Sequence, residues 1–378
     1  MQSIPFNKAY LTGHEIKYLE ESLAGLKFSG DGPFTKKCEL YLEKKYSFPK
    51  AFLTTSCTDA IELAVIACDI QPGDEVIMPS YTFVSSANPF LLRGAKIIFA
   101  DSLPNHPNID TAKLESLLSP KTKAIVPVHY AGIACDMDPI LEIAHTHKLI
   151  VIEDAAQGID AFYKKRALGS IGDFGALSFH ETKNIIAGEC GMLSVNRAAD
   201  KIVTEIAREK GTNRSAFFRG EVDKYNWVGL GSSFLPSDLI AAFLYAQLMH
   251  LEQIQSKRIA HWNQYYNELS ALEGEGLVLL PSIPEFATNN GHLFYVICKD
   301  LEQRLDLAAF LKKNGIQASF HYQALHKSPF YSGRHDGRSL PNAIRYSDCL
   351  LRLPLYYDLT PVEIKYICSC VKEYFKFA

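Results

Sequence analysis

The sequence predicts a mostly parallel α/β sheet followed by a smaller α+β unit, and three observations carry that reading. Between about residues 50 and 200, short unbroken apolar runs alternate with stretches of helical periodicity. This is the pattern of strands covered on both faces and joined by right-handed crossovers. From Pro236 to about Leu272 the alternation gives way to long apolar helical stripes. After Pro281-Ser282-Ile283-Pro284 the composition shifts, and shorter strand and helix patterns resume.

Taken in order, Ala51-Phe52-Leu53 is the first strand, and Ala60 to Cys68 reads as a helix. Asp74 to Met78, Lys96 to Asp101 and Ala124 to Val128 are the next three strands. Met137 to His147 is a helix, and Leu149 to Glu153 and Gly175 to Phe179 are two further strands. Pro236 to Leu272 reads as one long helix, with Leu239, Ala242, Phe243, Ala246 and Leu248 on its apolar faces. Beyond it come a strand at His292–Ile297, a helix at Leu305–Lys313, a strand at Ala318–Tyr322 and an amphipathic helix from Pro361 to about Phe375. The expected division is residues 1–249, an N-terminal arm and large domain, and residues 250–378, a small domain.

Composition narrows the function. A length of 378 residues, 47% hydrophobic and 21% charged, suits roughly two globular domains. A formal charge of −3 offers no basic field for nucleic acid or anionic lipid. The nine cysteines are scattered without a Cys-x-x-Cys pair, which fits reduced thiols better than a disulfide framework or a metal site. No apolar run is long enough for a membrane span, and the first residues lack a signal-peptide pattern. A cytoplasmic enzyme without metal is the expectation.

Lys183 closes the stretch Ser178-Phe179-His180-Glu181-Thr182-Lys183, downstream of a strand that ends in Glu153-Asp154. A strand-end acid followed by a serine and a lysine is the layout a pyridoxal phosphate enzyme needs. The lysine carries the cofactor covalently, and the acid keeps the ring nitrogen protonated. Glu153 and Asp154 face opposite ways on a strand, and Asp154 is the better candidate because Ala155-Ala156-Gln157 continues its side. Helix capping is the plainer use of the same acid.

Ser56, Cys57 and Thr58 sit between a strand and a helix start, where free N–H groups can hold a phosphate or a hydroxyl can simply cap. A nucleotide P-loop is excluded, because Gly-x-x-x-x-Gly-Lys is absent. Phe83, after the strand ending at Pro79, can stack on a flat ring or fill a core. His180-Glu181-Thr182-Lys183 lacks the second histidine of a zinc motif, and Gly229-Leu230-Gly231 lacks the third glycine of a dinucleotide fingerprint. Arg214, Arg219 and Lys224 are of the right type to meet a diphosphate, or are solvated charges.

In this order the pieces resemble the DegT/DnrJ/EryC1/StrS sugar-nucleotide aminotransferases. The likeness runs from Ile4-Pro5-Phe6 to Leu353-Pro354-Leu355, through Ser56-Cys57-Thr58, Gly73-Asp74-Glu75-Val76, Pro79 to Phe83, Glu153 to Gln157, Ser178 to Lys183 and His321-Tyr322. Longer strings, Arg208 to Ser215, Phe217 to Gly220, Asp223-Lys224-Tyr225 and Gly231-Ser232-Ser233, resemble members that make a 4-amino-4,6-dideoxygalactose for bacterial surface polysaccharide.

The resemblance implies fold type I of the pyridoxal phosphate enzymes, with a mostly parallel seven-stranded sheet. It implies Lys183, Asp154 and His180 as catalytic residues. Ser56, Cys57, Thr58 and Ser178 would bind the phosphate, Gln157 would lie near the ring hydroxyl, and Phe83 would stack on the ring. Arg214, Arg219, Lys224, His321 and Tyr322 would meet the substrate. It further implies a homodimer with shared active sites, L-glutamate as donor and a dTDP-4-keto-6-deoxyhexose as acceptor. A 3-keto acceptor and a non-catalytic, cofactor-binding regulator are the alternatives. Relatives that act as dehydratases carry a histidine at the place of Lys183. Two departures stand out: Ser233 occupies the place of an asparagine that reaches the partner's phosphate, and Cys190 interrupts the usual Gly-Glu-Gly-Gly.

Overall fold

The computed structural model describes residues 3–377. In chain order its strands are β1 (Ala51–Thr54), β2 (Glu75–Pro79), β3 (Lys96–Ala100), β4 (Thr122–Ile125), β5 (Ile150–Asp154), β6 (Phe162–Tyr163), β7 (Arg166–Ala167), β8 (Phe174–Ser178) and β9 (Gly191–Val195). After two long helices follow β10 (Phe294–Ile297), β11 (Ser319–Phe320) and β12 (Leu350–Leu353). Seven strands form the central sheet in the order β1-β9-β8-β5-β4-β2-β3. Strands β8, β5, β4, β2 and β3 run parallel, and β9 runs against both its neighbours. The second sheet is antiparallel with β12 at its centre, and β6 and β7 form a small hairpin.

Neighbouring residues of each central strand enter different cores, as a period of two requires. Phe52, Val76, Ile97, Ile152 and Leu193 pack on the face that carries helix Cys57–Ala67. Leu53, Ile77, Ile98, Val151 and Met192 pack on the other, against Ala242 and Leu248. A third cluster joins Ile4, Trp262, Leu269, Phe294, Leu351 and Ile364 around the small sheet. The carboxyl ends of β1, β2, β4, β5 and β8 all open at one edge of the large sheet, where α/β folds bind their ligands.

Several elements differ from the sequence reading, among them helix Leu301–Lys313, which begins a turn before Leu305 because Asp300 caps it by accepting from the Gln303 N–H. Helix Cys57–Ala67 begins a turn earlier than Ala60, because Ser56 caps it by accepting from the Asp59 N–H. Strand β4 ends at Ile125; Pro127 has no N–H to give, and pairing resumes only at the single bridge Val128–Asp154. The long helix is two, Asp238–Met249 and Leu251–Gly274. At the break, the Ala246 carbonyl is 3.0 Å from His250 Nδ1, while the His250 N–H turns to Gln247 instead. Strand β9, an ordinary apolar run after Gly191, is missing from the residue-by-residue reading.

Candidate active site

A cavity of about 580 Å³ opens at this sheet edge and is closed on the far side by β11 and β12. Ser56, Cys57, Thr58, Phe83, Asp154, Gln157, Ser178, His180, Lys183, His321 and Tyr322 all line it. The residues singled out between positions 56 and 183 therefore converge, although more than 120 positions separate the first from the last.

Asp154 is the last residue of β5 and is 6% exposed. Its Oδ2 accepts from Ser86 Oγ at 2.6 Å and its Oδ1 from the Ala156 N–H at 3.1 Å. Ser86 has one proton, spent on Asp154, so Thr82 Oγ1 donates to it at 2.7 Å. The carboxylate is thereby aimed before any ligand arrives. Its neighbour Glu153 points away and is fully buried. Glu153 accepts from the N–H groups of Gly169, Ile171 and Gly172 and from His129 Nε2, all at 2.6–2.9 Å. His129 Nδ1 accepts from the Cys135 N–H, so that nitrogen carries no proton and the ring is neutral.

The Lys183 backbone N–H donates to the His180 carbonyl, and its side-chain amine has no hydrogen-bond or ion-pair partner among the described residues. Burial pushes its ammonium pKa below the ordinary lysine value, and the nearby Cys57 and Asp154 only partly offset this. A shielded, unpaired amine is a nucleophile in waiting. Burial and the neighbouring Asp154 push the Cys57 thiol well up, so it stays protonated.

Opposite the acid lies the start of helix Cys57–Ala67, where the Asp59 N–H is taken by the Ser56 cap and the Cys57 and Thr58 N–H groups have no partner inside the helix. Ser178, 6% exposed, ends β8 beside it. Strand β9 passes so close that a Cβ at Gly191 would run into the Ser56 backbone and the Cys57 nitrogen. Cys190 lies beneath, with its thiol 3.4 Å from the Thr54 carbonyl.

Gln157 Oε1 accepts from the Ala131 N–H at 2.6 Å, which turns its Nε2 to Tyr322 Oη at 3.0 Å. Tyr322 holds a left-handed φ of 43°, a strain of the sort that clusters at functional sites. Phe83 is 54% exposed over the cavity, 5.9 Å from the Tyr322 ring, and is no core aromatic. His321 Nδ1 meets Tyr130 Oη at 3.0 Å, and its carbonyl accepts from Tyr81. His180 sits on the rim, with Nε2 3.2 Å from Glu189 and Nδ1 accepting from the Thr182 N–H.

Four named residues lie elsewhere on their own chain. Arg219 is held by Glu205 and Glu221 at 2.7–3.1 Å, and Arg214 rests on the Phe218 ring. Lys224 and Ser233 are exposed on the same segment. The sequence reading missed Ser86 and Arg352. A lone arginine inside the apolar run Leu350-Leu351-Arg352-Leu353 was the available signal for the latter.

A lysine without a partner, a strand-end carboxylate with its oxygens held toward the cavity, and a bare helix start are the three grips that pyridoxal phosphate requires. The fold and site define a fold type I pyridoxal phosphate enzyme. The chain belongs to the DegT/DnrJ/EryC1/StrS aminotransferase family, which matches residues 10–372. It is 34% identical to the spore coat polysaccharide biosynthesis protein SpsC of Bacillus subtilis, over 99% of this chain and 98% of that one. Among solved structures it is similar to the aminotransferase TlmJ of Streptoalloteichus hindustanus (26% identity, TM-score 0.91) and to S. venezuelae DesV in complex with a ketimine intermediate (28%, 0.90), each covering 99% of both chains.

Proposed function

We propose that the protein transfers the amino group of L-glutamate to the 4-keto carbon of a dTDP-4-keto-6-deoxyhexose. The product is dTDP-4-amino-4,6-dideoxy-D-galactose, a precursor of surface polysaccharide of the enterobacterial common antigen or O-antigen type. The observation that carries the chemistry is the unpaired Lys183 sharing one cavity with the fixed carboxylate of Asp154. The likeness to a polysaccharide biosynthesis protein supports the pathway class. The strings around Arg208–Ser215 and Asp223–Tyr225 support the 4-keto acceptor.

Bound pyridoxal phosphate supplies an aldehyde that takes up the amino group and a ring that spreads the charge left at the donor's Cα. The chain's residues do the rest. Asp154 would hold the ring nitrogen and keep it protonated. Ser56, Cys57, Thr58 and Ser178 would hold the phosphate, and Phe83 would cover the ring. Lys183 Nζ, whose pKa burial lowers, would serve as the base that takes the proton from the donor's Cα and as the acid that gives it back. In the second half of the cycle the proton movements reverse on the sugar. Arg214, Lys224 and Ser233 reach the cavity of a second copy in this reading, and Arg219 braces that segment through Glu205 and Glu221.

Incubation with glutamate and dTDP-linked 4-keto or 3-keto sugars, with NMR of the product, tests the proposal. An amine at C4 in the axial, galacto position is expected. An amine at C3 discards the named substrate, and no amination of either sugar discards the reaction.

A further inference from the structure

Lys183 and Gln157 face the cavity from loops, not from strands. Gln157 lies in the turn after β5, and Lys183 in the loop between β8 and β9. Side chains on loops are loosely placed unless other groups lock them, and a misplacement of about 1 Å can cost about 100-fold in rate. Both loops are gripped by residues 289–292, a segment ahead of β10 that does not line the cavity.

Asn290 is wholly buried, and every polar atom of its side chain is used. Its Nδ2 donates to the Gln157 carbonyl at 2.7 Å and the Ile159 carbonyl at 2.8 Å, and its Oδ1 accepts from the His292 N–H at 3.0 Å. Its own carbonyl accepts from Asn184 Nδ2 at 2.9 Å. Asn184 follows the lysine and is equally saturated. Its second Nδ2 proton goes to Gln255 Oε1, and its Oδ1 accepts from His292 Nδ1, both at 2.8 Å. The turn that holds Gln157 also abuts Asn290. A Cβ at Gly132 would run into the Asn290 amide, and the neighbouring Ala131 N–H donates to Gln157 Oε1. Arg258, buried on helix Leu251–Gly274, anchors the segment, with Nε donating to the Gly291 carbonyl at 3.0 Å and Nη2 to the His292 carbonyl at 2.7 Å. Gly291 is required at this crossing, since its φ is 60° and a Cβ would strike the Arg258 backbone.

A buried amide can do no more than satisfy buried carbonyls. Here the groups it joins are distant in sequence and share no hydrogen bond with each other among the described residues. One belongs to Gln157 itself and the other to the residue after Lys183, so the spacing of these two side chains passes through Asn290. We propose that Asn290 is the positioning residue that sets this spacing, by its amide on one loop and its carbonyl on the other. The proposal rests on the transamination reading, in which both side chains meet the cofactor, and adds the group that keeps them in register.

Hydrogen exchange of the cofactor-free protein, read by mass spectrometry, tests the tie without any reactant. Asn290→Ser keeps one donor at most, so amides in residues 155–160 and 180–187 should both exchange about tenfold faster, as the loss of a buried hydrogen bond implies. Asn184→Ala should quicken only the second stretch. In the loaded enzyme, kcat with glutamate, counted per bound cofactor, should fall by about 10- to 100-fold in Asn290→Ser. The glutamate KM should stay within about twofold, because no substrate contact is removed. Unchanged exchange in either stretch of Asn290→Ser overturns the inference, and so does a kcat per cofactor equal to wild type or a loss that falls on KM instead. If Asn290→Ser does not fold, Asn184→Ala decides: a lower kcat at constant KM supports the tie, and an unchanged kcat overturns it. A wild-type enzyme that ignores glutamate defeats the transamination reading, while the exchange data still judge the tie by themselves.

Discussion

Lys183 is the residue whose removal separates stability from function. Its lowered pKa means the folded protein binds its proton less tightly than the unfolded chain does. At neutral pH the buried charge weighs against folding. As pH rises from the folded value toward the ordinary lysine value near 10.4, the folded amine deprotonates first and stability is regained. Lys183→Met should therefore abolish the visible cofactor absorbance and turnover, yet stabilise the cofactor-free protein at pH 7 by about 1 kcal/mol. Urea unfolding of both proteins between pH 7 and 10 checks this: the gap should close as pH rises, and a widening gap refutes the account. Asp154→Asn keeps the shape and removes the charge, and should slow the glutamate half-reaction by about 100-fold or more, as breaking a shielded ion pair does. Stopped-flow absorbance reads that rate. At this scale the sequence was most legible where order along the chain was informative. Asp154, Ser178 and Lys183 stood in a sequence that a cofactor imposes. Arg352 and Ser86 did not, since a single arginine or serine reads as surface until folding brings distant strands to it.

Elements place these residues, and two contacts do most of the placing. Glu153 ties the carboxyl half of β5 to the 169–172 turn through three N–H groups and His129. Glu153→Gln turns a donor amide toward those N–H groups and should cost about 3–5 kcal/mol, the range for breaking a buried charged network. Thermal unfolding should show it as a large fall in Tm. Gly191 is the other contact, where β9 crosses the helix start. The obstacle to a side chain there is backbone, so Gly191→Ala must push the phosphate-binding turn aside. It should weaken cofactor binding by about tenfold, with about 1–3 kcal/mol of overpacking strain, as read by pyridoxal phosphate titration and urea melts. Apolar alternation disclosed most strands of the sheet. It did not disclose β9, which follows a loop without a helix and so lacks the strand–helix rhythm. Nor did it disclose the bend at His250, which turns on one side chain competing for one carbonyl.

The whole molecule leaves an apolar segment uncovered that its own fold does not use. Phe218 (68% exposed), Trp227 (83%) and Leu230 (54%) stand out on residues 209–233, together with Arg214, Lys224 and Ser233. The fold class was legible because strand periodicity is local. The destination of this segment was not, because its use depends on a second surface. If the segment serves the cavity of a second copy, two dead proteins should rescue each other. One carries Lys183→Ala with an intact segment. The other keeps Lys183 but carries Arg214→Ala and Lys224→Ala. Each mixed dimer then holds one complete site, made of the second protein's lysine and the first protein's segment. Random reassembly makes half the dimers mixed, so roughly a quarter of wild-type activity should return. Mixing that returns none, although native mass spectrometry shows the mixed dimer, would mean that each chain builds its site alone.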